Sequence, residues 1–205
     1  MTHTAKSAAQ RHAAGEGGFT LHELQWAAWL ATVDAASATP AQLAVLDEST
    51  ASARTSPYYL TLLHDVDALR ARSRLFNAVM YGPRGLPRSE RELSSVAVSR
   101  VNGCAYCAPV HARLYAQLTK DEGTVRRLFD EGVGTALTPR LRALVDYAVA
   151  LTETPPAAGP KELAALRLVG LTEFEILDAT QAIAMFAWAN RLMQTLGEPV
   201  YPQRR

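Results

Sequence analysis

Residues 89–114 read SERELSSVAVSRVNGCAYCAPVHARL, and the fold turns on how this stretch is divided. Its first half places Leu93, Val96, Ala97 and Val101 at helical spacing on one face, so residues 89–101 are expected to form a helix. Ser89 followed by Glu92 three residues on has the form of a capping box. Asn102 and Gly103 tolerate left-handed backbone geometry and mark a stop. Pro109 has no amide hydrogen and fits best in the first turn of the next helix, which puts Cys107 near that helix's N-terminus. A helix is expected over His111 to about Lys120. So short a break predicts that the two helices pack antiparallel, the middle of the first facing the start of the second.

Outward from this pair the same style continues. Helical patterns cover residues 20–33, 39–53, 57–81, 122–131, 138–152, 160–169 and 172–196, with Thr39–Pro40 suited to N-cap and first-position roles and Pro139 at the start of its helix. No run of alternating strand residues is bounded by turn signals, so the expected fold class is all-α, a helical bundle. Residues 1–18 lack apolar periodicity and read as a flexible N-terminal arm carrying His3 and His12. Residues 19–205 read as a single all-α domain, with the redox motif in 86–117. The segments GLPRSERELSSVAVS and GLTEFEILDATQAIA both open on Gly-Leu and run into an apolar helix, a faint sign of a duplicated unit.

A formal net charge of +1, with 48% hydrophobic and 20% charged residues, argues against nucleic-acid binding. No apolar run is long enough for a membrane span, and the N-terminus has no signal-peptide core, so a cytoplasmic protein is expected. In a reducing compartment a lone cysteine pair is more often catalytic or metal-binding than a static disulfide.

On one helix Cys104, Cys107 and His111 share a face. The Cys-x-x-Cys spacing suggests thioredoxin only in a βαβ setting, which is absent here. Zinc is disfavoured because Cys104 and His111 on a straight helix would be about 10 Å apart along the axis. Burial as small apolar residues is the remaining alternative. A helix N-terminus and an imidazole both favour the reactive thiolate. Glu92, on the facing helix, is the nearest carboxylate to orient His111. Two thiols beside a base suggest a cycle in which one reduces a peroxide, the other closes a disulfide, and an external dithiol reopens it. Elsewhere His22 and His64 read as structural or surface residues, and Arg84, Arg88 and Arg91 as a solvated helix start. Asn190 and Arg191 interrupt an apolar helix and read as structural. Met185, Phe186, Trp188 and Met193 read as core or subunit interface.

Glu92, Cys104, Cys107 and His111, in this order and spacing within LPRSERELSSVAVSRVNGCAYCAPVH, resemble the signature of the alkyl hydroperoxidase D-like, peroxidase-related branch of the carboxymuconolactone decarboxylase family. FAWANRLMQTLG near the C-terminus is similar to the last helix of its peroxidase-related subgroup. The resemblance implies an all-α homo-oligomer and a thiol-dependent peroxidase or dithiol-disulfide oxidoreductase without haem or metal. It also implies an external, possibly lipoyl-type dithiol reductant protein as partner and a peroxide as substrate. Carried onto this chain, Glu92 and His111 would be the proton relay, Cys107 the activated thiol and Cys104 its disulfide partner. Tyr106 stands where those relatives carry a second histidine, and a tyrosine titrating near 10 cannot carry protons at neutral pH. This leaves a second expectation, a redox-responsive accessory or binding protein with little peroxide turnover.

Overall fold

The computed structural model describes residues 18–202. The arm expected over residues 1–18, with His3 and His12, lies outside them but for Gly18.

The molecule is all-α, with about 61% of the described residues helical and one small sheet among them. In chain order the described residues form β1 (Gln25–Ala28), α1 (Pro40–Asp47), α2 (Pro57–Leu62), α3 (Val66–Tyr81), α4 (Arg88–Val101), α5 (Cys107–Thr119), α6 (Gly123–Asp130), α7 (Pro139–Thr152), α8 (Pro160–Leu168), α9 (Glu173–Leu196) and β2 (Gly197–Val200).

The helix ends follow the capping residues. Thr39 and Gln42 form a capping box at α1, and Thr172 and Glu175 form one at α9. Asp65 accepts the Ala68 amide at 3.0 Å, which starts α3. That start divides the single helix expected over 57–81, because Leu63 to Asp65 turn out of helical geometry before the cap re-initiates it. The helix expected over 39–53 ends at Asp47, and turns follow.

A larger correction concerns residues 20–33. They form β1 and irregular backbone instead of a helix, and β1 pairs antiparallel with β2 in the register Gln25↔Val200 to Ala28↔Gly197. The stabilising partner is at the far end of the chain, where local periodicity cannot reveal it. Trp26 is buried there, its Nε1 donating to the Met193 carbonyl at 3.1 Å and its ring edge-on to Tyr58. Gly197 passes so close to the Trp26 ring that a Cβ would overlap it.

Helix α4 is the centre of the fold. Every residue from Arg91 to Ser99 is buried, because α3, α5, α6, α7 and α9 all pack against it. Ser94 and Ser95 are small enough for close approach, and their hydroxyls donate back to the Glu90 and Arg91 carbonyls at 2.9 and 2.8 Å. The capping box expected from Ser89 and Glu92 does not form. The helix begins at Arg88 after Pro87, and the Glu92 carboxylate is directed into the interior. Arg91 is likewise not solvated: at 2% exposure it donates to the carbonyls of Val79, Gly82 and Arg84 and pairs with Asp178 at 3.2 Å. Asp178 also accepts the Leu86 amide at 3.1 Å, and it lies so close to Gly85 (φ +84°) that a side chain there would collide with it.

The echoed segments are the approaches to α4 and α9, which pack on each other. Gly85 and Gly170 have matching φ of 84° and 86°, and Leu86 and Leu171 are both buried.

Two apolar clusters result. The larger surrounds α4, α7 and α9. The smaller joins Trp26, α1, α2 and Met193 to Cys104 and Cys107. The cysteines stand where the two meet. Among the described residues no helix is long and apolar enough to cross a membrane.

Candidate functional site

The turn after α4 positions the first sulfur. Cys104 donates its amide to the Ser99 carbonyl at 2.8 Å, and its own carbonyl accepts the Ala108 amide at 3.2 Å. This continues the chain directly into α5, whose first residue is Cys107 and whose first turn contains Pro109. The helix thus starts earlier than the expected His111, where the proline's missing amide hydrogen had placed Cys107. Both cysteines are free and buried, and the pair stands at 3.1 Å.

Their electrostatics are unequal. Cys104 is held below the ordinary thiol value, first by the hydrogen bond from the Cys107 thiol; backbone amides of Cys107 and Tyr106 and the Asn190 side chain add to this against burial. These amides belong to the start of α5, where unpaired N–H groups favour negative charge. Cys107 is pushed well above the ordinary value because it is the donor to Cys104, because it is buried and because a charge on Cys104 opposes its own. Asn190 and Arg72 act in the opposite direction. Negative charge therefore rests first on Cys104, with the proton retained on Cys107.

His111 follows Cys107 by one turn of α5. Its Nδ1 lies 2.6 Å from Glu92 Oε2, and the other carboxylate oxygen accepts from Arg88 Nε at 3.2 Å. Glu92 is 1% exposed, so these two contacts hold its charge in the interior. With Nδ1 donating to the carboxylate, Nε2 is the basic nitrogen, and it has no hydrogen-bond partner among the described residues. The Phe186 ring stands edge-on to the imidazole, with centroids 4.3 Å apart.

A cavity of about 430 Å³ opens on this group, lined by Cys107, His111 and Tyr106 on one side. Cys104 lies behind Cys107 and is not part of its wall. Among the described residues, no group of three or more His, Cys, Asp or Glu side chains is arranged to hold a metal ion.

All four residues of the sequence motif are thus brought together, and Tyr106 joins the cavity wall. The sequence did not single out Arg72, Tyr58 and Tyr59, which line the cavity from α2 and α3. No local pattern marks them, since Arg72 sits in an ordinary amphipathic helix. Asn190, read as structural, donates to Ser99 at 3.1 Å and accepts from Asn102 at 3.2 Å while touching the cysteine pair. Phe186, read as core or interface, is also cavity wall, whereas Trp188 is 44% exposed. His64 fits its structural reading: its Nε2 meets the Ala31 carbonyl at 2.7 Å.

Comparison with known proteins bears on the fold around this site. Residues 67–150 match the Carboxymuconolactone decarboxylase family. A peroxidase-related protein from Ralstonia eutropha JMP134, described as an alkylhydroperoxidase AhpD core, superposes with a TM-score of 0.72 at 25% identity, covering 82% of this chain and 90% of that one. A peroxidase-related protein from Silicibacter sp. TM1040 gives 0.60 at 27% identity, covering 68% and 71%. The debrominase Bmp8 shares the fold alone, at 18% identity and a TM-score of 0.62 over 75% of this chain and 82% of that one. No curated protein gives a significant sequence match. The chain is thus similar to the Carboxymuconolactone decarboxylase family over residues 67–150, and in fold to a peroxidase-related protein described as an alkylhydroperoxidase AhpD core.

Proposed function

We propose that the protein is a thiol-dependent peroxidase that reduces organic hydroperoxides at the Cys104–Cys107 pair. The observation that carries this reading is the arrangement itself: two free thiols at 3.1 Å, one facing a cavity, with a carboxylate-oriented imidazole one turn away.

Cys107 is the sulfur that a substrate in the cavity meets. His111 Nε2 takes its proton, and the resulting thiolate attacks one oxygen of the hydroperoxide. The O–O bond breaks, Cys107 becomes a sulfenic acid, and the leaving alkoxide takes the proton from His111 to depart as an alcohol. Cys104, already favoured as thiolate, then attacks the sulfenic sulfur. The S–O bond breaks, hydroxide leaves as water with a proton from solvent, and a disulfide remains. An external dithiol, of the dihydrolipoyl type, attacks Cys107 and expels Cys104. Cys104 is the better leaving group because its charge is the more stabilised. Two thiols of the reductant become its disulfide, and both protein thiols are restored. No metal or haem enters the cycle.

The test is a thiol titration of the reduced protein before and after one equivalent of cumene hydroperoxide, followed by dihydrolipoamide. Loss of both thiols, their recovery and sustained peroxide consumption are expected. Retention of both thiols after peroxide refutes the reading. Oxidation to the disulfide without steady consumption would instead assign a redox-responsive accessory role, the outcome Tyr106 in place of a histidine would favour.

A further inference from the structure

The cavity wall carries a positive charge, Arg72, that has no carboxylate partner among the described residues. Arg72 is half-buried among three rings, its guanidinium carbon 5.0 Å from the centroid of Tyr59, 4.6 Å from that of Phe76 and 5.9 Å from that of Tyr58. One nitrogen donates to the Tyr59 hydroxyl at 2.7 Å. Nε and the second terminal nitrogen have no hydrogen-bond partner, and Arg72 makes no ion pair, among the described residues. No aspartate or glutamate lines the cavity. A guanidinium held among rings with two nitrogens free to donate is open to an anion, and its planar fork suits a carboxylate.

A second group points to a ligand. The Tyr58 hydroxyl is buried without a hydrogen-bond partner among the described residues, on a residue only 6% exposed that also lines the cavity. Leaving a buried hydroxyl unpaired costs about 1–3 kcal/mol, a cost that a bound acceptor removes. Between these groups and the base runs an apolar wall: Phe76 contacts Phe186 at 6.0 Å between centroids, and Phe186 contacts His111. A volume of about 430 Å³ is in the range of small-molecule sites.

We infer that the cavity selects hydroperoxides that also carry a carboxylate, held by Arg72 and Tyr58, with the hydrocarbon body along Phe76 and Phe186 and the O–O bond at Cys107. The inference rests on the peroxidase reading for the reacting end, while its binding half stands without turnover. Its chemistry is the cycle given above; the carboxylate is held and does not react.

The experiment uses para-isopropylbenzoate, which cannot react, and its methyl ester, titrated calorimetrically into the reduced full-length protein. The acid should bind at least about tenfold more tightly than the ester, the equivalent of one charge-assisted hydrogen bond. R72Q should remove most of that difference, R72K should restore part of it, and Y58F should weaken the acid. Turnover of para-carboxy cumene hydroperoxide should exceed that of its methyl ester in kcat/KM by a similar factor, and the ratio should collapse in R72Q. Equal binding of acid and ester by the parent protein overturns the inference even if R72Q fails to fold. Turnover of both hydroperoxides without an acid preference overturns it while leaving the peroxidase reading standing. Acid-selective binding with no turnover of either has the reverse meaning.

Discussion

Replacing Glu92 by glutamine tests the relay most directly. The substitution keeps the side chain's shape and a carbonyl oxygen that can still accept from His111 Nδ1, but it removes the charge facing the ring when His111 takes a proton. The hydrogen bond is 2.6 Å long and buried, with the carboxylate 1% exposed, so water cannot replace what is lost. A hydrogen bond to a charged group is worth about 1.5–3 kcal/mol, and at about 1.4 kcal/mol per decade this is a fall of roughly 10- to 150-fold. H111A removes the base itself and should cost roughly 10²- to 10⁴-fold. The assay is the peroxide half-reaction in single turnover, following disulfide formation so that reductant chemistry does not mask the step. Circular dichroism and thermal melting show whether each variant is folded. A folded E92Q that forms the disulfide at the parent rate refutes the relay.

C107S should abolish peroxide consumption, whereas C104S should still be oxidised once, leaving a sulfenic acid on Cys107 that dimedone traps and mass spectrometry detects. Alkylation of the reduced protein by iodoacetamide across pH should show one thiol titrating below the ordinary value and the other far above it, with peptide mapping assigning the first to Cys104. Stability should fall as pH rises past about 9 to 10, because Cys107 and Tyr58 are pushed up by their surroundings and ionise more readily unfolded than folded. Cys104 has the opposite sign: its contribution is complete above the ordinary thiol value and is lost as pH falls through its lowered one. Denaturant melts of the parent and C107S at pH 8 and about 10.5 would separate these, the variant losing less. G85A should destabilise by at least about 1–2 kcal/mol from the left-handed backbone alone, with displacement of Asp178 in addition, and a melt within experimental error of the parent would contradict this.

The motif was legible because its chemistry is local. Cys104, Cys107 and His111 lie within eight residues, and the proline in the first turn of α5 could be read as a boundary. Glu92 was found through a packing argument about two helices joined by a two-residue break. Its apparent capping role was wrong, because a burial site beside His111 competes better for the carboxylate than an exposed helix end. The sheet was illegible: four residues at each end of the chain become strands only by pairing with one another. Arg91 was misread as solvated and Arg72 was missed for a related reason. Arg91 is buried because three carbonyls from the preceding loop and helix converge on it, and Arg72 faces the cavity because of where α2 packs. Neither circumstance is written in the neighbouring sequence.

The central position of α4 has a thermal consequence. Glu92 hangs from a helix packed on all sides, so the carboxylate cannot turn away from His111 without parting α4 from its neighbours. The amides of α4 should therefore exchange with deuterium only through global unfolding. On heating, loss of base activation should coincide with the main melting transition and not precede it.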